Sequence, residues 1–364
     1  MNPIVIAAGG TGGHLFPAEA LAAELHARGE AFALFTDARS AAYASTAFAA
    51  GERFVLRGEG VSGRGVKRAA RGAMQLAAGT WQARSILKRL RARAVVGFGG
   101  YPAIPPALAA LSLAHRPVLV LHEQNGVLGR ANRMLATRAD RLALSFADTE
   151  KVPAGARTAL VGNPVRPALM ALAGQPYPGT EGGLRLLVLG GSLGARVFSD
   201  LVPAAVAGLP ADLRGRLMVT QQCRAEDLDR VRAVYAGMGV PAELSPFFAD
   251  VARHLSVAHL VVARAGASTI AELACAARPA LLVPLPSAID NHQMANGRVL
   301  SDAGAAQLLP EQGLTPALLA AAMVSYLNFP ARMEAAATAG AAIARPGAVR
   351  ELADLVLSLI KERQ

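Results

Sequence analysis

One local pattern, an apolar strand followed by a glycine-rich turn and a helix, occurs twice in the sequence, about half a chain apart. In the first copy the apolar run Ile4 to Ala8 leads into GGTGGH, and in the second Leu186 to Leu189 leads into GGSLG. A strand that enters a helix through glycines is the basic unit of a parallel α/β sheet. The duplication therefore predicts an α/β chain with two Rossmann-like domains that face each other across a cleft.

Length and composition agree with this class of fold. The chain has 364 residues, more than one hydrophobic core usually serves, and 53% of them are hydrophobic against 17% charged. Proline-containing segments near 162–167 and 345–347 mark the expected crossings between domains. We therefore expect a first domain at 1–165, completed by a C-terminal helix at 346–364, and a second domain at 166–345.

The first glycine turn has the properties of an anion-binding loop. Glycines let the backbone approach a ligand closely, and the following helix directs its N–H groups and positive end at that ligand, usually a phosphate. The dinucleotide fingerprint G-x-G-x-x-G would require glycine where Leu15 stands, and the Lys-Ser/Thr ending of a P-loop is missing. A tight turn without a ligand is the alternative.

Positive charge is concentrated in the first half of the chain. Residues 1–165 contain 20 Lys and Arg against 10 Asp and Glu, a net charge of +10, whereas residues 166–364 contain 17 against 16, a net charge of +1. Ten basic residues and no acidic ones lie between Gly60 and His122. A negatively charged partner, either nucleic acid or an anionic membrane surface, is therefore expected on the N-terminal half.

The sequence favours a reduced, cytosolic compartment. The N-terminus lacks the basic region of a secretory signal and runs directly into the glycine turn. The longest stretch without charged residues, 94–115, is interrupted by glycines and prolines, which predict a strand, a turn and a new helix rather than a membrane span. Cys223 and Cys275 are far apart and lack the spacing of metal ligands.

The second half contains a segment rich in polar side chains where strands are expected to end. In RAGASTIAE, Glu272 follows the start of a predicted helix, where a carboxylate can bind the two hydroxyls of a ribose or simply complement the helix dipole. The next strand opens into DNHQMANG, whose polar residues are Asp290, Asn291, His292, Gln293 and Asn296. Such clustering favours a ligand site at the sheet edge.

Seven ordered motifs together resemble one family, the MurG-type glycosyltransferases, over nearly the whole chain. They are GGTGGH, FGGYP at 98–102, LHEQN at 121–125, GNPVR at 162–166, GGSLGA at 190–195, RAGASTIAE at 264–272 and PLPSAIDNHQMAN at 284–296. The resemblance implies two Rossmann-like domains in the GT-B arrangement. It also implies transfer of N-acetylglucosamine from UDP-N-acetylglucosamine (UDP-GlcNAc) to lipid I, the undecaprenyl-pyrophosphoryl muramyl-pentapeptide, to give lipid II for peptidoglycan.

The resemblance implies a UDP-GlcNAc site built mainly from the second half. Its residues would be Thr11, Gly12, Gly13, Asn125, Arg166, Ser192, Phe248, Ala267, Ser268, Thr269, Ile270, Ala271, Glu272, Gln293 and Asn296. Ser192 and Arg166 would bind the diphosphate, Glu272 the ribose, Phe248 the uracil through backbone contacts, and Gln293 and Asn296 the sugar. Leu193 departs from the glutamine frequent in the family, which removes one amide contact.

The acceptor would bind to the first half. Gly12, Gly13, Gly99, Gly100 and Tyr101 are expected to receive its diphosphate, and an inverting reaction needs a base for the acceptor hydroxyl. His14 is the candidate base, because imidazole ordinarily titrates near neutral pH and the glycine turn opens on the expected cleft. His122 and Glu123 are rival candidates, and His14 has two alternatives of its own, a hydrogen-bond donor to substrate or a purely structural residue.

No obligatory cofactor or metal is expected. Asp227-Leu228-Asp229 is the one Asp-x-Asp motif in the sequence, but it lies in a segment of alternating charges typical of a solvated helix face. The departing UDP would then be stabilised by a helix dipole and by Arg166 instead of a divalent ion.

The basic segment at 60–93 predicts a peripheral membrane surface. Apolar residues at helical spacing, Met74 and Trp81 among them, stand beside Lys67, Arg68, Arg71 and Lys88. Apolar side chains would enter the headgroup boundary while cations meet anionic lipid. An ordinary surface helix whose apolar stripe faces the core is the alternative. With the resemblance, the expected location is the cytoplasmic face of the plasma membrane.

Other classes of function explain less of the sequence. A nucleic-acid-binding protein would account for the basic half, but the basic run has a single aromatic residue, Trp81, and no recognition-module signature. A nicotinamide oxidoreductase would account for the glycine turns but not for Leu15 or the later motifs. Within enzymes, the alternatives are a glycolipid glycosyltransferase with another acceptor and a UDP-GlcNAc epimerase.

Overall fold

The computed structural model describes residues 2–10, 12–43, 45–57, 66–191 and 194–363, and for 66–69 the backbone alone. The chain divides into two compact units, unit 1 (Met1–Arg166 and Gly347–Gln364) and unit 2 (Pro167–Pro346). These boundaries lie one residue away from the predicted ones. Arg166, expected in the second domain, therefore belongs to unit 1.

Unit 1 alternates strands and helices along the chain. Its strands are β1 (Ile4–Ala7), β2 (Phe32–Thr36), β3 (Glu52–Val55), β4 (Ala94–Gly97), β5 (Val118–Glu123), β6 (Arg141–Leu144) and β7 (Thr158–Leu160). Its helices are α1 (Gly12–Ala27), α2 (Thr46–Ala49), α3 (Val66–Leu90), α4 (Ile104–Leu111), α5 (Arg130–Leu135) and, from the end of the chain, α15 (Ala348–Arg363).

The strands of unit 1 form one parallel sheet in the order β3-β2-β1-β4-β5-β6-β7. Strand β1 lies between β2 and β4, with Ile4 opposite both Phe32 and Ala94. Its four residues are all buried, as expected for a parallel strand covered by helices on both faces. The order of strands reverses between β1 and β4, and ligands of such sheets bind outside the carboxyl ends of the strands at this point.

Two apolar layers cover the faces of this sheet. On one face, Leu21 and Leu25 of α1 pack with Leu352 and Val356 of α15. On the other face lie Ala83 and Leu87 of α3 together with small residues of α4. The expected return of the C-terminal helix to the first domain is therefore observed, and α15 supplies part of that domain's core.

Unit 2 repeats the same architecture. Its strands are β8 (Leu184–Leu189), β9 (Leu217–Gln222), β10 (Ala242–Ser245), β11 (Leu260–Ala263), β12 (Ala280–Leu282) and β13 (Ala306–Leu308). Its helices are α6 (Pro167–Met170), α7 (Arg196–Ala207), α8 (Ala211–Gly215), α9 (Leu228–Gly237), α10 (Val251–Val257), α11 (Ala267–Ala276), α12 (His292–Asp302), α13 (Pro316–Leu327) and α14 (Pro330–Ile343).

The sheet of unit 2 is parallel, in the order β10-β9-β8-β11-β12-β13, so β8 and β11 occupy the positions of β1 and β4. A single apolar cluster joins its strands to α7, α9, α13 and α14. The predicted class, an α/β chain with two Rossmann-like domains, is thereby confirmed.

Among the described residues no helix is both long enough and apolar enough to span a bilayer. The uncharged stretch at 94–115 folds as β4, a short 3-10 turn (Tyr101–Ala103) and α4, as its glycines and prolines predict.

Candidate active site

Three loops meet at the carboxyl edge of the sheet in unit 1. They are the β1–α1 connection with His14, the residues after β4 with Gly99 and Gly100, and the residues after β5 with Gln124. The sequence predicted a turn across GGTGGH, but α1 already begins at Gly12, so the last two glycines of this segment and His14 form its first turn. The imidazole therefore lies at the positive end of α1.

Glycines after β4 make room for the His14 ring. Gly99 and Gly100 have φ angles of 79° and 67°, a conformation that favours glycine. A Cβ atom on Gly100 would lie 3.3 Å from Nε2 of His14. A side chain at this position would crowd this ring nitrogen. Next to them Tyr101 is half-buried, and burial raises the pKa of its hydroxyl.

A row of hydrogen bonds leads from His14 into the interior of unit 1. Nδ1 of His14 lies 3.1 Å from Oε1 of Gln124, and Nε2 of Gln124 lies 2.9 Å from Nδ1 of His122. The other ring nitrogen of His122, Nε2, lies 2.9 Å from the carbonyl oxygen of Gly162. His122 has no exposed surface, and this burial lowers its pKa to about 4.

The carboxylate of Glu123, the other rival candidate for the base, accepts hydrogen bonds from four donor groups. It accepts from the backbone N–H groups of Asn125 and Gly129 and from the side-chain amides of Asn125 and Asn132. Only 2% of its surface is exposed. Burial and filled hydrogen bonds give Glu123 and His122 a structural role, whereas the half-buried His14 faces the sheet edge. The geometry therefore favours His14 as the candidate base.

The remaining unit 1 residues predicted to bind substrate lie in or near these loops. Gly12 and Asn125 are half-buried, and Gly13 is exposed. Thr11 lies outside the described residues. The guanidinium of Arg166 lies over the ring of Phe16, 5.0 Å from its centroid, so its positive charge lies beside α1.

In unit 2, the second glycine turn follows β8 as predicted. Gln222 holds it, because its Oε1 accepts from the backbone N–H of Gly190 and its Nε2 donates to the carbonyl of Gly191. A Cβ on Gly190 would overlap the backbone nitrogen of Ala195, so glycine is required there. Ser192 and Leu193 lie outside the described residues, and the predictions for them stay open.

The predicted ribose-binding segment forms the first two turns of α11. Ser268, Thr269 and Ala271 are half-buried, whereas Ala267 and Ile270 are buried. Glu272 retains 8% exposure and lies near Cys275, whose pKa is raised first by burial and further by the Glu272 carboxylate. The buried side chain of Ile270 fits a structural role better than contact with a ligand.

The two predicted sugar-binding amides have different surroundings. Gln293 is half-buried, and its Oε1 accepts from the backbone N–H of Leu285 after β12. Asn296 has no exposed surface, and its Nδ2 donates to the carbonyl of Ala265. Because Asn296 lacks access to solvent, the geometry favours a role in holding the turn before α11 over the predicted contact with the sugar.

The loop before α12 contains two residues with an uncommon backbone conformation. Asp290 and Asn291 are consecutive, exposed, and both left-handed, with φ of 53° and 55°. This conformation is uncommon outside glycine and concentrates at functional sites. Further along the edge, the predicted uracil neighbour Phe248 is buried and packs on His254, with the two ring centroids 4.5 Å apart.

Sequence reasoning missed the amides that support both sites, Gln124, Gln222 and Asn132. The signal that was available is their position, since Gln124 directly follows β5 and Gln222 ends β9. Polar residues at the carboxyl ends of parallel strands face the ligand edge.

The Asp-x-Asp motif lies on α9 and just before it, where both carboxylates are paired. Asp227 binds Arg224 and Arg230, and Arg230 lowers the pKa of Asp227; Asp229 binds Arg232. The predicted solvated helix face holds for Asp229, which is exposed, but not for Asp227, which is buried with 7% of its surface exposed. Within the described ranges, no three His, Cys, Asp or Glu side chains are grouped as metal ligands.

Helix α3 presents two large apolar side chains outward. Met74 is 66% exposed and Trp81 is 75% exposed, with Arg71 and Lys88 exposed on the same helix. The inward face is formed by Gly79, Ala83 and Leu87. The alternative in which Met74 and Trp81 belong to the core is therefore wrong. The side chains of Lys67 and Arg68 lie outside the described residues.

Both halves of the chain match models of one enzyme family. Residues 4–144 match the glycosyltransferase family 28 N-terminal domain, and residues 185–351 match the glycosyltransferase family 28 C-terminal domain.

Curated relatives match along almost the whole chain. A protein of Granulibacter bethesdensis named UDP-N-acetylglucosamine--N-acetylmuramyl-(pentapeptide) pyrophosphoryl-undecaprenol N-acetylglucosamine transferase is 57% identical over 98% of this chain and 93% of its own. A protein of Acidiphilium cryptum with the same name is 52% identical over 100% of this chain and 98% of its own.

Among solved structures, the crystal structure of Acinetobacter baumannii MurG matches with a TM-score of 0.80 and 28% identity, covering 98% of this chain and 100% of that one. A UDP-GlcNAc 2-epimerase of Neisseria meningitidis has a TM-score of 0.69 at 11% identity, with 98% and 100% covered. The second likeness concerns the fold alone.

Proposed function

The chain belongs to the MurG-type glycosyltransferases of family 28, and from this premise we propose that it transfers N-acetylglucosamine from UDP-GlcNAc to lipid I, forming lipid II. The observation that carries the proposal is the 57% identity to a transferase of this name over 98% of the chain. The same likeness makes the chain a hexosyltransferase. The epimerase alternative is supported only by a shared fold at 11% identity.

For the donor, the supporting features lie at the sheet edge of unit 2. The turn after β8 leads into the N-terminus of α7, which suits a diphosphate, and the amide of Gln222 fixes its first two residues. The start of α11 presents Ser268 and Thr269, with Glu272 one turn further as the acceptor for ribose hydroxyls. Gln293 remains the candidate for the sugar.

For the acceptor, the supporting features lie in unit 1. Gly12 and Gly13 open α1, and Gly99 and Gly100 follow β4 beside His14. Backbone N–H groups of glycine turns at a helix N-terminus suit the acceptor's diphosphate. The hydroxyl of Tyr101 makes no hydrogen bond with any described residue, so it is a candidate donor to the same group.

The reaction is a single displacement with inversion. The acceptor hydroxyl oxygen forms a bond to the anomeric carbon as the bond to UDP breaks, and UDP leaves with the bonding electrons. His14 accepts the hydroxyl proton at Nε2, and helix N-termini with Arg166 stabilise the charge that develops on the leaving diphosphate. We propose that no divalent ion is obligatory.

We also propose that α3 binds the cytoplasmic face of the plasma membrane, where the lipid-linked acceptor is embedded. Trp81 and Met74 would enter the headgroup boundary, and Arg71 and Lys88 would meet anionic lipid. Lys67 and Arg68 extend the basic sequence at the start of the helix. Nucleic acid is not an expected partner.

The test of this function is transfer of labelled N-acetylglucosamine from UDP-GlcNAc to a short-chain lipid I analogue. Acceptor-dependent formation of the labelled product, unchanged when a chelator replaces divalent ions, is expected. A parallel sample without acceptor detects release of UDP. Release of UDP without acceptor, or binding of UDP-GlcNAc without transfer, would move the function to the epimerase or to another acceptor. Loss of activity in chelator with recovery in magnesium would contradict metal independence alone.

A further inference from the structure

Each hydrogen bond in the row from His14 through Gln124 and His122 to Gly162 has a defined donor and a defined acceptor. The assignment starts at Gly162, the buried end of the row. The carbonyl oxygen of Gly162 can only accept, so Nε2 of His122, 2.9 Å away, must donate. His122 is fully buried and its pKa is lowered to about 4, so the ring is neutral at pH 7. A neutral imidazole that carries its proton on Nε2 has a lone pair on Nδ1. Nδ1 of His122 is therefore an acceptor.

The amide of Gln124 is oriented by two acceptors on one side. Its Nε2 lies 2.9 Å from Nδ1 of His122 and 3.2 Å from the backbone carbonyl oxygen of the same residue. Turning the amide over would bring Oε1 against both acceptors and leave all three groups unsatisfied in a site that is 1% exposed. Oε1 of Gln124 therefore faces His14.

The donor and acceptor roles of the two nitrogens of His14 follow in the same way. Its Nδ1 lies 3.1 Å from Oε1 of Gln124, which can only accept, so Nδ1 carries a proton. When the ring is neutral, Nε2 then holds the lone pair. Among the residues that the structure describes, none forms a hydrogen bond with this nitrogen, and a Cβ atom on Gly100 would lie 3.3 Å from it.

We propose that Gln124 is a positioning residue. The Gly162 carbonyl fixes which nitrogen of His122 carries the proton, and His122 in turn orients the amide of Gln124. This amide holds His14 as the Nδ1–H tautomer, with Nε2 free to take a proton. The proposal rests on the proposed transferase function for its purpose, but its geometry is independent of that function. Protonation of Nε2 during the reaction leaves the bond from Nδ1 to Gln124 in place, so the amide row need not rearrange between the two states of His14.

A neutral amide here performs a task that a carboxylate performs in the Ser-His-Asp triad, where the acid holds the histidine in its working tautomer. If Gln124 were lost, the proton of neutral His14 could move to Nε2. A ring with its proton on Nε2 has no lone pair on the nitrogen that faces the sheet edge, so the competent fraction of enzyme would fall.

Nitrogen-15 NMR of the full chain tests the tautomer directly. With labelled histidine at slightly alkaline pH, we expect a protonated, pyrrole-like Nδ1 and an unprotonated, pyridine-like Nε2 for His14 in the wild type. The His14 signals are assigned by their absence in His14→Ala. A wild-type spectrum with the proton on Nε2 would overturn the proposal, and this outcome requires no variant that folds poorly.

Two substitutions at position 124 test the role of the amide. In Gln124→Leu, Nε2 of His14 should gain pyrrole-like character, and kcat should fall about 10-fold or more while KM for UDP-GlcNAc stays within about twofold. In Gln124→Glu, a carboxylic acid kept protonated by burial can donate to His122 and accept from His14, so the Nδ1–H tautomer should return. Gln175→Leu, an exposed glutamine of unit 2, is the matched control and should change neither tautomer nor kcat.

These outcomes separate the inference from the proposed function. An unchanged His14 tautomer in a folded Gln124→Leu would overturn the role of Gln124, whatever reaction the enzyme performs. The expected tautomers in a protein without transferase activity would instead support the positioning role and reject the function.

Discussion

His14 is the residue on which the proposed chemistry depends most directly. Replacement by alanine removes the proton acceptor but leaves the glycine turns intact, so we expect kcat to fall about 10²- to 10⁴-fold with little change in KM for UDP-GlcNAc. The transfer assay at saturating substrates measures this. His26→Ala, at the exposed end of the same helix, is the control. Near-normal turnover of His14→Ala would show that another group, or water, takes the proton.

His122 predicts a pH dependence of stability. The unfolded chain binds a proton on this residue near pH 6.5, whereas the folded pKa is about 4, so between these values the unfolded state binds more protons. The stabilisation is fully present above about pH 6.5 and is lost as the pH falls towards 4, by up to about 1.4 kcal/mol per pH unit.

Urea denaturation of the wild type and His122→Gln at pH 7 and pH 5 measures this contribution. The difference between their free energies of unfolding should shrink by about 2 kcal/mol at the lower pH, because only the wild type has the histidine. A difference that is the same at both pH values would mean that the folded ring titrates normally.

At the scale of elements, α3 carries the proposed membrane contact. Each cation near an anionic surface contributes about 1 kcal/mol, so Arg71→Gln with Lys88→Gln should weaken binding to anionic vesicles by about 2 kcal/mol, or about 30-fold. Trp81→Ala should weaken it further and without dependence on salt. Vesicle sedimentation measures both effects. The control is Arg216→Gln with Arg298→Gln, two exposed cations of unit 2. If this pair weakened vesicle binding equally, the binding would depend on the net charge of the protein and not on a contact made by α3.

At the scale of the whole molecule, α15 ties the end of the chain to unit 1. Leu352 and Val356 are fully buried in that unit, and Arg363 pairs with Asp140 beside β6. Leu352→Ala should cost about 2 to 5 kcal/mol. Because Leu352 packs in the core of unit 1, calorimetry should show one unfolding transition lowered and the transition of unit 2 unchanged. Ser358→Ala, exposed on the same helix, is the control; a shift of both transitions would mean that the units unfold together.

Sequence patterns predicted the architecture because they are local and repeated. The two strand–glycine–helix units, the prolines near the crossings and the C-terminal helix each depend on neighbours in the chain, and each is observed. The start of α1 was missed because glycines signal a turn, yet Gly12 and Gly13 are helical. Roles set by contacts between distant loops were not accessible in this way. Asn296 was predicted as a sugar ligand although it is buried, and Gln124 was missed because its partners His122 and His14 lie 2 and 110 residues away.

The return of α15 to unit 1 also has a consequence for synthesis on the ribosome. Unit 2 is one continuous segment, Pro167–Pro346, whereas the two segments of unit 1 lie before and after it in the chain. Translation delivers the chain from its N-terminus at about 5 to 20 residues per second, and domains generally fold as units. The nascent first unit therefore waits, with the apolar surface that α15 will cover still exposed, until α15 has been synthesised and has left the ribosome. Unit 1 starts first but is completed after unit 2, and a translation arrest before α15 would leave unit 1 without part of its core after unit 2 has folded.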